Sequence, residues 1–147
     1  MTNAKIGEII ESVGDSIQGD TGRWQFYIED IPFICVTDSL NNRMRIISPI
    51  LETIQLTEEL KNASLTANFH TALDVKYAIA NDLLWSVFIH PLKELSNHQV
   101  KDAIAQVYSA NRSFGTTFSS TNLIFPGATK EPKNITEDKK KLKKEKF

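Results

Sequence analysis

RWQFYIEDIPFICVTDSLNNRMRIISPIL, residues 23–51, alternates apolar and polar side chains in short runs separated by turn-forming residues. A period of two is typical of β-strands, because successive side chains of a strand point to opposite faces. Asp30-Ile31-Pro32 and residues 39–42 supply the predicted turns. Loops this short favour antiparallel neighbours. The stretch therefore predicts three antiparallel strands in succession.

Two of the predicted strands are apolar on both faces. They are PFICVTD, residues 32–38, and LLWSVFIH, residues 83–90. The second is predicted to form a hairpin with residues 74–80, with its turn at Asn81-Asp82. Helices can cover one face of an antiparallel sheet, so the second apolar face needs a cover of its own. Three alternatives could bury this second face: a second copy of the chain, the segment TTFSSTNLIFPG over 116–127, or a bound polypeptide. We favour the second copy.

The candidate contact surface comes from these strands and from the middle helix. Alternation alone does not say which face the helices cover, so the opposite-face neighbours of the strand residues stay an alternative. The candidates for partner binding or dimer contact are Phe33, Cys35, Ala67, Phe69, Trp85, Val87 and Ile89.

Helical spacing flanks the strands on both sides. Isoleucine and valine recur at intervals of three and four over residues 6–17, which predicts a helix ending near Val13 or Ile17, before a glycine-containing loop. Thr57 is the predicted N-cap of a middle helix, and Ser96-Asn97-His98-Gln99 fits a capping box that begins a last helix. The predicted order is α-β-β-β-α-β-β-α, an α+β fold with an antiparallel sheet.

The chain has 147 residues, of which 41% are apolar and 24% charged. These values predict one α+β domain over residues 1–127 and a separate tail over residues 128–147. The domain carries a net charge of −5 and the lysine-rich tail +4. The tail has few apolar residues, so it is predicted to be disordered. The acidic domain disfavours nucleic acid as a partner, except for weak electrostatic contact through the tail.

The single cysteine and the short apolar runs indicate the cellular compartment in which the protein is expected. Cys35 is the only cysteine, so no internal disulfide forms and a reducing compartment is expected. The apolar runs are too short for a membrane span, and the N-terminus lacks the apolar block of a signal peptide. We therefore expect a soluble, cytoplasmic protein with no membrane partner.

No residue pattern points to catalysis, a cofactor or a metal, so no enzyme is expected. The three histidines lack the spacing of a zinc site, and Cys35 lies in an apolar run that does not lower its pKa. The glycine-rich phosphate-binding patterns GxxxxGK[ST] and GxGxxG do not occur. The alternative is a small ligand-binding or enzymatic domain with a pocket between the sheet and the last helix, lined by groups such as His90, Asp82 or Tyr108.

Three phrases of the sequence resemble known families. LTANF at Leu65–Phe69 resembles the LLxxNF-like phrase that ends the middle helix in type III secretion chaperones of the Tir-chaperone type and in the YbjN family. Pro91–Leu95 is similar to their PL-x-x-L segment before the last helix, and RWQFYIEDIPFICVTD resembles the opening hairpin of YbjN-type proteins. With the element order, the resemblance covers about Ile6 to Phe114.

The resemblance implies a small acidic homodimer without enzymatic activity. Secretion chaperones hold an unfolded stretch of a secreted effector around their apolar surfaces, and YbjN relatives are described as regulators of sensory or stress responses. A basic C-terminal tail is not a feature of the compact secretion chaperones, which favours the YbjN side. We therefore expect a non-catalytic homodimer that binds an extended or partly folded polypeptide segment of another protein, with regulation as one expected use.

Overall fold

The predicted run of strands opens a six-stranded antiparallel sheet in a computed structural model that describes residues 1–121. The strands lie in the order β1-β2-β3-β4-β6-β5. The predicted α+β class with an antiparallel sheet is confirmed. In chain order the elements are α1 (Asn3–Val13), β1 (Asp15–Asp20), β2 (Arg23–Ile28), β3 (Ile31–Asp38), β4 (Arg43–Glu52), a 3-10 helix (Thr53–Gln55), α2 (Glu58–His70), β5 (Lys76–Ala80), β6 (Leu83–His90) and α3 (Asn97–Ser113).

Strand β1 is an addition to the predicted order. Its sequence, DSIQGD, shows no apolar alternation, because all six residues are exposed on an edge strand that pairs with β2. Ser16 and Gly19 take positive φ, and a side chain on Gly19 would stand 2.2 Å from the carbonyl oxygen of Arg23. Backbone pairing holds this strand without burial, so the loop predicted here is wrong, and Ile17 belongs to β1 while α1 ends at Val13.

The turn between β2 and β3 also differs from the prediction. It is formed by Glu29-Asp30, where Glu29 takes a φ of 53°, while Ile31 and Pro32 belong to β3. Pro32 precedes the first β3–β4 pair, which joins Ile34 to Ile47. Proline is therefore tolerated at position 32, because the N–H that it lacks would lie outside the β3–β4 hydrogen-bond ladder.

The predicted hairpin turn and helix caps are confirmed. Both residues of Asn81-Asp82 take positive φ, 53° and 61°, as a two-residue hairpin turn requires. The Thr57 hydroxyl accepts a hydrogen bond from the Leu60 N–H at 3.1 Å. Ser96 and Gln99 form both hydrogen bonds of the capping box. These local signals depend on neighbouring residues alone, which is why the sequence predicts them well.

Helices α1 and α3 cover one face of the sheet. α3 packs against β4 and β6, α1 packs against β1 and β2, and the two helices touch each other. The Ser86 hydroxyl donates to the carbonyl of Val107 at 3.0 Å, and the Asn111 amide donates to the Ser48 hydroxyl at 2.8 Å. Both bonds join α3 to this face, which holds most of the core. Its buried apolar strand residues are Trp24, Phe26, Ile31, Phe33, Cys35, Met44, Ile46, Tyr77, Leu84 and Phe88.

Helix α2 lies beside the edge strand β5. The Asn68 side chain accepts a hydrogen bond from the Tyr77 N–H at 2.8 Å and donates to the Tyr77 carbonyl at 3.0 Å. The Lys76 ammonium donates to the backbone carbonyl of Asn68 at 3.0 Å. Because the backbone groups of Tyr77 are occupied in this way, another strand is hindered from pairing with β5 there.

The residues after α3 pack on the helix-covered side of the sheet. Phe114 and Phe118 are buried and stand edge to face with ring centroids 5.2 Å apart, and Tyr77 lies 5.8 Å from the first ring. The Ser120 N–H donates to the Thr71 carbonyl at 3.2 Å. Residues 116–121 belong to the segment that the sequence offered as a cover for the second apolar face. They lie on the opposite side of the sheet from that face. The rest of that segment, the predicted boundary after residue 127 and the lysine-rich tail lie outside the described residues.

Candidate functional site

The face of the sheet opposite α1 and α3 is where apolar strand residues remain partly exposed. Its central row joins Ile34, Ile47 and Val87 across β3, β4 and β6. Cross-strand neighbours of this kind stand about 5 Å apart, so they form a continuous apolar strip. We name the following six side chains the open face: Ile34, Val36, Ile47, Trp85, Val87 and Ile89.

A groove of about 700 Å³ lies over much of the open face. Its floor is apolar, and one of its ends carries arginine side chains. Because it lies on the outer surface of a sheet, it suits a chain segment that can follow the strands. The groove is lined by Arg23, Ile34, Val36, Thr37, Asp38, Arg43, Met44, Arg45, Ile47, Asn81, Trp85 and Ile89.

Trp85 is held in place within the open face. Its indole N–H donates to the Ala80 carbonyl at 2.9 Å, and its cross-strand neighbours are Pro49 on β4 and Ala78 on β5. The polar group of the indole is therefore satisfied inside the chain. What remains for a partner is a large apolar ring that loses little conformational freedom on binding.

Three arginines form a cationic end of the groove. Arg23 and Arg45 flank Val36 in one cross-strand row, and Arg43 lies two residues before Arg45 on the same side of β4. Within residues 1–121, none of these three guanidinium groups makes an ion pair or a hydrogen bond. Residues 1–127 carry a net charge of −5, so the positive charge is confined to this end of the groove.

Two carboxylates lie near the cationic end and form no ion pair with its arginines within residues 1–121. Asp38 pairs in register with Arg43, and Asp20 pairs with Arg23. The Asn41 side chain and backbone N–H donate to Asp38 at 2.8 and 3.1 Å. These hydrogen bonds, the side-chain bond foremost, hold the pKa of Asp38 below its ordinary value. Asp38 therefore stays ionised but is engaged with its own turn.

Phe33 and Cys35, both predicted as contact residues, are core residues instead. Each is 1% exposed on the covered face. The reason is register: β3 reaches β6 through β4, which aligns Cys35 with Phe88 and not with the residues of the open face. Their neighbours on β3, Ile34 and Val36, point to the open face. On this strand, the opposite-face neighbours are therefore the candidates for contact.

The other predicted contact residues have mixed positions. Trp85, Val87 and Ile89 lie on the open face, and Ile89 is 57% exposed. On α2, Ala67 is buried, whereas Phe69 is 84% exposed. Trp85, Val87, Ile89 and Phe69 are therefore accessible to a partner, and their role in binding stays a prediction.

The arginines are the part of the site that the predicted contact residues did not include. A signal was available for two of them, because Arg43 and Arg45 are spaced two apart in a predicted strand and so share a face. Arg23 comes from another strand. Only the pairing of β2 with β3 and β3 with β4 brings it to the same row.

The polar groups predicted for an alternative pocket lie in separate depressions. His90 lines one of about 370 Å³ between β6 and α3, together with Asp102 and Gln106. Asp82 lines another at the hairpin turn, and Tyr108 lines a third. In the described part of the chain, no group of three or more His, Cys, Asp and Glu residues could hold a metal ion. No helix there has the length and apolar character to cross a membrane.

Several solved structures have a fold similar to that of this chain. The chain is similar to one in the HopA1–SchA chaperone–effector complex, with a TM-score of 0.57 and 14% identity over 76% of this chain and 94% of that one. It is similar to the ExsC–ExsE complex, with a TM-score of 0.57 and 11% identity over 74% and 86%. A third is the Yersinia pestis type III secretion chaperone SycH in complex with a stable fragment of YscM2, with a TM-score of 0.57 and 9% identity over 76% and 98%. This chain has a type III secretion chaperone-like fold.

The chaperone-like fold confirms the secretion-chaperone part of the resemblance drawn from the sequence. By sequence, no protein-family model and no curated protein matches the chain. At 9–14% identity, the likeness to solved structures establishes the fold alone. The YbjN part of the resemblance stays a prediction.

Proposed function

We propose that this chain is a non-catalytic protein-binding domain that holds an extended or partly folded polypeptide segment against its open face. The observation that carries the proposal is the open face itself, an apolar strip opposite the helices that cover the sheet. Exposed apolar strips of this kind on soluble domains commonly mark protein interfaces. A protein partner also agrees with the HopA1–SchA and SycH structures, which are described as a chaperone–effector complex and a chaperone bound to a protein fragment.

Binding is driven in this proposal by burial of apolar side chains of the partner. Each apolar side chain that becomes fully buried contributes about 1.5–3 kcal/mol. Trp85 provides the largest apolar side chain of the open face, and the hydrogen bond to the Ala80 carbonyl orients its ring. An interface of about 1,600 Å² is standard for specific binding. The outer edge of β1 can add backbone hydrogen bonds to an extended partner, whereas β5 is hindered by Asn68.

Self-association through α2 is the second part of the proposal. Leu65 and Phe69 lie one helical turn apart and are 62% and 84% exposed. A symmetric dimer through the open face would bring two cationic ends together, which like-charge repulsion disfavours. A dimer through α2 leaves both open faces accessible. A cytoplasmic location and a regulatory use belong to the proposal on the strength of the sequence.

The experiment that tests partner binding compares two substitutions to aspartate. Ile89→Asp places a charge on the open face, and Leu40→Asp makes the same kind of change in the β3–β4 turn, where Leu40 is 96% exposed. The probe is a permanently unfolded protein, reduced and carbamidomethylated α-lactalbumin, with binding followed by fluorescence anisotropy. We expect Ile89→Asp to weaken binding about tenfold, because one buried aliphatic side chain contributes that much.

The control should bind as the unsubstituted chain does. Both positions are exposed, so both variants should keep the circular dichroism spectrum and melting temperature of the parent. Equal binding by all three chains would show that the open face is not the binding surface.

A further inference from the structure

The open face is electrostatically polarised along the strand direction. One end holds Arg23, Arg43 and Arg45, and Arg45 is opposite Ile89 in register. Trp85 lies four residues before Ile89 on the same strand and face, which corresponds to about 13 Å at the rise of a β-strand. A segment that follows the strands therefore meets positive charge at one end and an apolar surface at the other.

The arginines of the cationic end outnumber the two nearby carboxylates, Asp20 and Asp38, and form no ion pair with them. The three guanidinium groups make no ion pair or hydrogen bond in residues 1–121, and the one carboxylate that lines the groove, Asp38, is bonded to Asn41. Clustered like charges beside an apolar floor repel one another and favour an anionic ligand. The ligand of this end should therefore carry carboxylates.

Two occupants of the groove are disfavoured by charge. The C-terminal 20 residues, 128–147, carry eight lysines and a net charge of +4, which opposes the cationic end. A second copy bound face to face would place arginines against arginines. An acidic segment of another protein has the complementary charge.

We propose that the partner segment is bipartite. A cluster of aspartate or glutamate side chains meets Arg23, Arg43 and Arg45, and aliphatic or aromatic side chains two to four residues away cover Ile47 and Trp85. The inference rests on the proposed function and specifies the chemistry of the partner. The polarity of the groove also sets the direction in which the segment lies along the strands.

The expected preference is modest and depends on salt. Individual exposed ion pairs are weak, so three together should give about a tenfold preference for an acidic over a basic segment at low ionic strength. At 1 M salt the Debye length falls to about 3 Å, and the preference should largely disappear. Binding through the apolar floor should persist there, because it does not depend on charge.

The experiment uses the full chain and two fluorescein-labelled peptides. Both peptides have the same aliphatic and aromatic residues, followed by either an aspartate cluster or a lysine cluster. The test variant is Arg43→Glu/Arg45→Glu. The control variant, Lys5→Glu/Lys101→Glu, changes the net charge by the same amount at exposed positions on α1 and α3, away from the open face.

The expected result is an approximately tenfold preference for the aspartate peptide in the parent and the control, and its loss or reversal in the test variant. The parent alone suffices if the test variant fails to fold, because equal affinity for both peptides, or a preference that salt leaves unchanged, overturns the inference. If neither peptide binds while unfolded α-lactalbumin does, the acidic partner is wrong and the proposed function stands. If unfolded α-lactalbumin also fails to bind, both are wrong.

Discussion

At the scale of single residues, Cys35 shows how burial removes chemistry that a side chain could otherwise perform. It lies in register between Trp24 and Ile46, on the face that α1 and α3 cover. Burial raises the pKa of its thiol to about 12, because the thiolate would lose its hydration. A thiol that stays neutral is a poor nucleophile. Cys35 therefore serves as a small apolar core residue and not as the contact residue that the sequence predicted.

Burial of the thiol predicts a specific dependence of stability on pH. An unfolded cysteine ionises near pH 8.5, whereas Cys35 in the folded chain stays protonated. The stabilisation is complete below about pH 8.5 and is lost as pH rises, since only the unfolded chain ionises. The loss is about 1.4 kcal/mol for each pH unit up to about pH 12.

The measurement is urea unfolding at pH 7.5 and 9.5 for the parent and for Cys35→Ala. The parent should lose about 1.4 kcal/mol more of its unfolding free energy than Cys35→Ala over this interval. Other titrating groups are common to both chains and cancel in the comparison. Identical losses in the two chains would contradict the assignment of a buried, neutral thiol.

At the scale of elements, the edge strand β5 depends on α2 for its protection. Asn68 belongs to the phrase LTANF, which carried the resemblance to secretion chaperones, and its amide bonds both backbone groups of Tyr77. The phrase thus has a physical role in this chain, because the amide occupies groups to which another strand could pair.

Removing this amide should destabilise the chain and promote association. We expect Asn68→Ala to lower the free energy of unfolding by about 1–3 kcal/mol, through the loss of two hydrogen bonds to partly buried groups. Light scattering should also show mass that increases with concentration, because the edge of β5 becomes available. Asn62→Ala, an exposed position of the same helix, is the matched control and should change neither quantity by much. A variant at Asn68 as stable and as monodisperse as the control would exclude the protective role.

The elements that the sequence predicts are those that bury side chains or carry local caps. β2, β3, β4, β6 and the three helices show apolar periodicity, and the caps at Thr57 and Ser96 lie where expected. β1 lacks such a signal, because an exposed edge strand has no buried face to impose alternation. Its existence depends on β2, which offers the backbone groups that β1 pairs with.

At the scale of the whole molecule, two separate surfaces serve the two parts of the proposed function. In the proposed function, the open face binds a polypeptide partner and the exposed side of α2 binds a second copy of the chain. Charge separates the two roles, since the cationic end of the open face disfavours a symmetric contact there.

Self-association through α2 is tested by solution mass. We expect the parent chain to be dimeric and Leu65→Asp/Phe69→Asp to be monomeric, because two charges at the centre of an apolar contact would be buried without partners. Size-exclusion chromatography with light scattering measures the masses, and Leu40→Asp should remain dimeric. A monomeric parent chain, or an unchanged mass in the double variant, would contradict a dimer through α2.

The sequence by itself determined which segments form strands with apolar side chains on both faces, and therefore that one face would need a cover beyond the helices. That information is local, because a period of two and short turns depend on neighbouring residues. Tertiary structure alone decided which face the helices cover: the register from β3 through β4 to β6 places Cys35 with the core and Val36 with the open face. It also brought Arg23 into line with Arg45, because the register of β2 on β3 and of β3 on β4 is set only when the sheet assembles.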